Sequence, residues 1–159
     1  MKKFLTAVSL TLAATGFAGL ANAETWAPAS STPTLLSQPG FTVEKGIQLS
    51  CTLNGMATIN AAGDAEINAL SLTGTLCGLV GFFNFPYELE GGLNDVVTIK
   101  NVDVQGITGD CLGDLVGTLD QATGVIEFTN AEIPSNPAGG NPCKVNGKVD
   151  TTPAVSYTP

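Results

Sequence analysis

The segment 46-GIQLSCTLNGMATINAAGDAEINALSLTGTLCGLVG-81 decides how the rest of the chain reads. Ile47, Leu49, Cys51 and Leu53 take alternate positions, and Ala57, Ile59 and Ala61 keep the phase. Successive strand side chains point to opposite faces, so this alternation marks a half-buried strand. Gly63 and Asp64 read as a hairpin tip, with Ala65, Ile67 and Ala69 returning. The return shifts phase to Leu70 and Leu72, which predicts a bulge; Gly55 predicts a bulge or bend of its own. Cys77 closes the segment, and Gly81 follows four residues later. A looser copy begins at Cys111 and ends at Cys143, with Gly147 again four residues on. Thr58, Ile59 and Asn60 follow Cys51 at the offsets at which Thr118, Leu119 and Asp120 follow Cys111.

Working outward, Phe41 and Val43 start a strand after the turn at Pro39 and Gly40. Phe83, Phe85, Tyr87 and Leu89 alternate with Asn84, Pro86, Glu88 and Glu90. Pro86 cannot donate to a ladder, which places this strand at an edge or a bulge. Val97 and Ile99, then Val102 and Val104, form another strand with a phase change at Lys100 and Asn101. Leu115 and Leu119, Ile126 and Phe128, Val145 and Val149, and finally Val155 and Tyr157 continue the pattern. No helical periodicity is found after the first 23 residues, and turn signals recur throughout. The expected fold is all-β: an antiparallel sandwich or barrel of two cysteine-bracketed β-units, about residues 46–92 and 106–159, within a single domain at 41–159. Residues 24–40, with Pro28, Pro33 and a Ser/Thr run, read as a flexible arm.

Lys2 and Lys3, the apolar run from Phe4 to Leu20 and the small-x-small Ala21-Asn22-Ala23 are the pattern of a cleaved signal peptide over 1–23. The apolar run is short for a membrane span and contains Thr11, Thr15 and Gly16. The remaining 159 − 23 = 136 residues carry all 14 acidic residues and four lysines, a net charge of 4 − 14 = −10, with no Arg and no His. Nucleic acid and anionic lipid, which need clustered cations, are excluded as partners. Export places the four cysteines in an oxidising compartment. Four cysteines allow three pairings; the repeat favours Cys51–Cys77 and Cys111–Cys143.

Chemistry-bearing candidates are few. Without His there is no imidazole acid or base and no Ser-His or Cys-His dyad. Four scattered cysteines without His do not make a zinc site. Glu88 and Glu90 share a strand face about 7 Å apart, a separation a glycosidase pair can use, but a solvated outer face explains them as well. Asp103, Asp110, Asp114 and Asp120 match no calcium-loop spacing. No catalytic residue, metal or cofactor is expected. Phe82, Phe83, Phe85 and Tyr87 place four of the eight aromatics after residue 23 within six positions. Together with Trp26 they are the candidate hydrophobic contact residues. Alternation sends Phe83, Phe85 and Tyr87 to a core and Phe82 to the opposite face.

With these residues in view, the chain resembles the exported proteins of the alkane-oxidation activator (PraB) family. The resembling features are the signal peptide, Gly46-Ile47 leading into Leu49-Ser50-Cys51-Thr52, Cys77, and the ending from Cys143 through Gly147 to Pro153, Ser156 and Tyr157. The resemblance carries no catalytic signature and no active-site residue. It implies a non-enzymatic factor, secreted or at the surface of a Gram-negative bacterium or in its periplasm, that helps cells use long alkanes. Its partners would be hydrophobic small molecules or other surface components. The alternative is a self-associating subunit of a surface fibre or matrix that exchanges an arm as a strand.

Overall fold

The computed structural model describes residues 24–159; the expected signal peptide at 1–23 lies outside them. In chain order the strands are β1 (Thr25–Ala27), β2 (Thr34–Ser37), β3 (Thr42–Glu44), β4 (Gln48–Ser50), β5 (Thr52–Ile59), β6 (Ala65–Thr73) and β7 (Gly81–Phe83). They continue with β8 (Tyr87–Gly91), β9 (Val96–Gln105), β10 (Asp110–Asp120), β11 (Val125–Ile133), β12 (Ser135–Asn136), β13 (Cys143–Thr152) and β14 (Ser156–Thr158). Eight of these make a closed antiparallel barrel, in the order β11-β10-β9-β8-β6-β5-β2-β13, with β13 pairing back onto β11. The all-β expectation is met, and closure decides for barrel over sandwich. Closing the sheet leaves its main strands no free edge.

Alternation explains which face is which. Leu53, Ala57 and Ile59 of β5, Ile67 of β6, and Val97 and Ile99 of β9 point inward and are buried. Thr58, Glu66, Glu88, Thr118, Glu127 and Lys148 point outward and are exposed. Each fully buried aliphatic side chain contributes about 1.5–3 kcal/mol. Apolar inside and polar outside is the reverse of the pattern on a lipid-facing barrel.

Closure needs curvature, and three register shifts supply it. One lies on β6 opposite Met56 and Ala57, where Ala69 and Ile67 pair in turn and Asn68 is extra. A second lies opposite Asp114, at Lys100 and Asn101, with Asn101 in the left-handed region. Both fall where the sequence changes phase. The third, opposite Asn146 at Thr129 and Asn130, is held by an Asn130–Asn146 side-chain bond of 2.7 Å. Bulges bend the strand and increase its twist.

Each cysteine bracket encloses a hairpin, β5–β6 between Cys51 and Cys77 and β10–β11 between Cys111 and Cys143, and the two hairpins share one core. Their disulfides are Cys51–Cys77 and Cys111–Cys143, the pairing the repeat favours. The expected flexible arm is a departure. Its β2 pairs with both β5 and β13 and completes the barrel wall, and its β1 pairs with β14. The arm has only a short apolar alternation, but main-chain bonds on both sides of β2 and the buried side chains of Trp26, Pro33 and Leu35 order it.

Candidate hydrophobic site at the barrel mouth

The two ends of the barrel differ. At the base, the β1–β14 ribbon lies across the opening. Trp26 and Tyr157 sit ring against ring there, 5.0 Å between centroids, and both are buried. The Tyr157 hydroxyl reaches the Gly92 and Val96 carbonyl oxygens at 2.7 and 2.9 Å. A Cβ on Gly91 would strike the Tyr157 ring, so glycine is what allows the cap to lie close.

At the other end lie both disulfides, the β3–β4 tip, the turn before β7 and the β9–β10 turn. Four aliphatic side chains stand in water here: Ile47 at 55 % exposure, Leu76 at 50 %, Leu79 at 52 % and Ile107 at 70 %. Leu76 holds a left-handed backbone (φ 65°), uncommon for a bulky residue. Strain of that kind concentrates at functional sites. Between these tips an apolar cavity of about 110 Å³ runs into the barrel. Its lining includes Ile47, Leu76 and Ile107 at the surface and Ile99, Leu115 and Phe128 inside.

Lys45 ties the mouth together. Its ammonium donates to the carbonyl oxygens of Asp110 and Asn141, both at 2.9 Å, and to Ser135 Oγ at 3.2 Å. The β3–β4 tip is thus fastened to the β9–β10 turn and to the 134–142 loop.

The sequence candidates scatter over this frame. Trp26 is 1 % exposed at the base, on the opposite end from the mouth. Tyr87 is also 1 % exposed and hydrogen-bonds the main chain of Asp103 at 3.0 Å, and Phe85 stacks on its ring at 4.4 Å. The expected alternation breaks between them and Phe82. Asn84 takes a left-handed conformation and residues 84–86 leave the ladder, so β7 and β8 are separate strands. The phase flips as a result. Phe82 is partly buried and lines the cavity, while Phe83 is 45 % exposed. Of the five candidates, only Phe82 lines the cavity.

Glu88 and Glu90 lie on the outer wall of β8, and Glu90 is 3.7 Å from Lys100. The four aspartates do not converge. Asp103 accepts from the Asn84 amide, Asp110 from the Gly106 N–H, Asp114 from Lys100, and Asp120 from the Ala122 N–H. Among the described residues no group of His, Cys, Asp or Glu is placed to hold a metal.

Sequence reasoning missed the rim. Ile47 was expected to continue the strand, but the ladder breaks at Cys51 and Ile47 falls on the hairpin tip. The available signal was Ile107, an isoleucine inside a Gly106–Gly109 turn that has no core to serve.

The Lys100 hydrogen bond holds the Asp114 carboxyl below its ordinary range, and Asp114 raises Lys100 in return. The Thr123 hydroxyl and nearby N–H groups lower Asp120. Burial raises the phenols of Tyr87 and Tyr157. The depressed acids stabilise the fold above their unfolded pKa, near 4, and that part is lost as pH falls through the folded values. The raised tyrosines and Lys100 stabilise it below about pH 10, and that part is lost as pH rises through theirs. With no His and all four cysteines bridged, no other side-chain type ordinarily titrates from about pH 5 to 9. Melting temperature should be flat over that window and drop above about pH 10. A transition between pH 6 and 8 would contradict this.

A protein-family model described as "Alkane oxidation protein activator PraA/PraB-like" matches residues 1–159, the whole chain. The chain belongs to that family. No curated protein and no solved structure matches it. The family description gives an activating role in alkane oxidation. Two disulfides fit an extracellular or periplasmic setting. Among the described residues no helix is long and apolar enough to cross a membrane.

Proposed function

We propose that this protein is a secreted, non-enzymatic accessory that promotes bacterial use of long-chain alkanes by touching hydrocarbon at the cell surface. The observation that carries this reading is the rim of Ile47, Leu76, Leu79 and Ile107, raised on one end of an acidic barrel. Exposed aliphatic groups gathered at one place mark a contact site for an apolar partner. Other exposed apolar side chains, such as Leu36, Met56 and Val116 on the wall and Leu93 near the base, do not line the cavity. The family's activating role, a chain without His, and cysteines all held in bridges support a contact role over a reactive one.

The test is adsorption of purified protein to hexadecane droplets. Each half-exposed aliphatic that reaches the oil contributes about 1 kcal/mol, so Ile47→Glu/Ile107→Glu should cut adsorption roughly tenfold or more. Adsorption equal to that of a control acidic protein, or unchanged in the double variant, refutes the reading. Strand exchange into a fibre has less support, because the segment it would donate already pairs on both sides within its own barrel.

A further inference from the structure

We infer that the barrel interior is a binding site for one end of an unbranched alkyl chain, taken methyl first through the mouth. This deepens the hydrocarbon-contact reading and rests on it: the rim meets the oil, and the cavity takes a single chain end from it.

The cavity measures about 110 Å³, somewhat less than the roughly 150 Å³ of an engineered apolar cavity that stays dry and takes up benzene. The space holds a segment of chain, with the remainder of a long alkane left outside. An apolar space of this kind holds water poorly and takes up hydrocarbon readily.

The lining decides the chemistry of the end that enters. Ile99, Val102, Leu115 and Phe128 surround the interior, and Phe82 and Val104 lie nearer the mouth. The charged lining residues Glu44, Lys45 and Lys144 all belong to the mouth end. Among the described residues, every buried side-chain nitrogen and oxygen already has a hydrogen-bond partner. Nothing inside is left to receive a hydroxyl or a carboxylate, and burying either without a partner is strongly unfavourable. A methyl end meets no such cost. The site therefore discriminates by chain end: an alkane offers two acceptable ends, a fatty acid one, and an α,ω-dicarboxylic acid none. A fatty acid bound this way leaves its carboxylate in water at the mouth.

The test is calorimetric titration of the oxidised protein with decanoate and with decanedioate, below micelle-forming concentrations. Decanoate should bind more tightly by about tenfold or more, because only the diacid must bury a charge. Equal binding of the two, or no binding of decanoate, overturns the proposal. Val104→Trp puts an indole into the cavity near its mouth. It should weaken decanoate binding by about tenfold or more while droplet adsorption stays at the wild-type level. Wild-type decanoate affinity in the folded variant also overturns the proposal. If Val104→Trp does not fold, the comparison of monoacid and diacid on the unaltered protein decides alone. Failure to bind decanoate with droplet adsorption intact removes the cavity site only; loss of both removes the contact reading as well.

Discussion

Cys111→Ala/Cys143→Ala should lower the unfolding free energy by roughly 3–4 kcal/mol, the loop-entropy value for a bridge of this span. The bridge joins residues 32 apart in sequence, and the Cys51–Cys77 bridge joins residues 26 apart. A single domain has only about 5–15 kcal/mol in total, so losing both bridges should leave the barrel barely folded or unfolded. The loss should be felt first at the mouth. Cys111 is the second residue of β10 and Cys143 opens β13, and the Asp110 carbonyl that anchors Lys45 is next to Cys111. Reduction should therefore weaken droplet adsorption before it unfolds the base. The measurement is urea unfolding of the oxidised wild type and the double variant, read by circular dichroism. A shift below about 1 kcal/mol would show that packing alone holds this end, against the expectation from loop closure.

Much of this architecture was legible because it depends on local alternation. The repeat of Cys51 to Ile59 in Cys111 to Leu119 marks two equivalent strands, and in both the residue eight after the cysteine is buried. The bulge at Lys100 and Asn101 was visible as a phase change because both flanking runs are strongly apolar. The bulge at Asn130 was not, since Thr129 and Asn130 lie among polar residues where phase carries no signal. The order of β2 was hidden for a different reason. Its stability comes from main-chain partners far away in sequence, β5 and β13, and side-chain pattern does not report such pairing. The rim was hidden by the same limit. Ile47 and Leu49 alternate as a strand does, and only the pairing of β4 with β3 shows that Ile47 sits past the ladder's end. The aromatic run misled because alternation was carried across Asn84 and Pro86. Separate pairing of β7 with β9, and of β8 with β6 and β9, resets the phase.

Trp26→Ala should cost about 3–5 kcal/mol, the range for removing a large buried aromatic. Trp26 is 1 % exposed, lies against Tyr157 and sits on a three-residue strand that among the described residues has β14 as its one ladder partner. Such a short ribbon has little stability of its own; the two rings hold it across the base together with the bond from the Trp26 main-chain N–H to the Gly63 carbonyl at 2.8 Å. Removing the indole should free β1, loosen Tyr157 from Gly92 and Val96, and admit water to the closed end of the barrel. Trp26→Phe keeps an aromatic ring on Tyr157 and should lose less, about 1–2 kcal/mol. The pair of variants also separates two uses for this residue. If Trp26 were a hydrocarbon anchor, Trp26→Phe would weaken droplet adsorption as the rim variants do. Because it lies at the end opposite the rim, adsorption of folded Trp26→Phe should stay within about twofold of wild type. A wild-type melting curve for Trp26→Ala would mean that the ribbon is not what seals the base. An adsorption defect in folded Trp26→Phe would move the hydrocarbon-contacting surface from the mouth to the base.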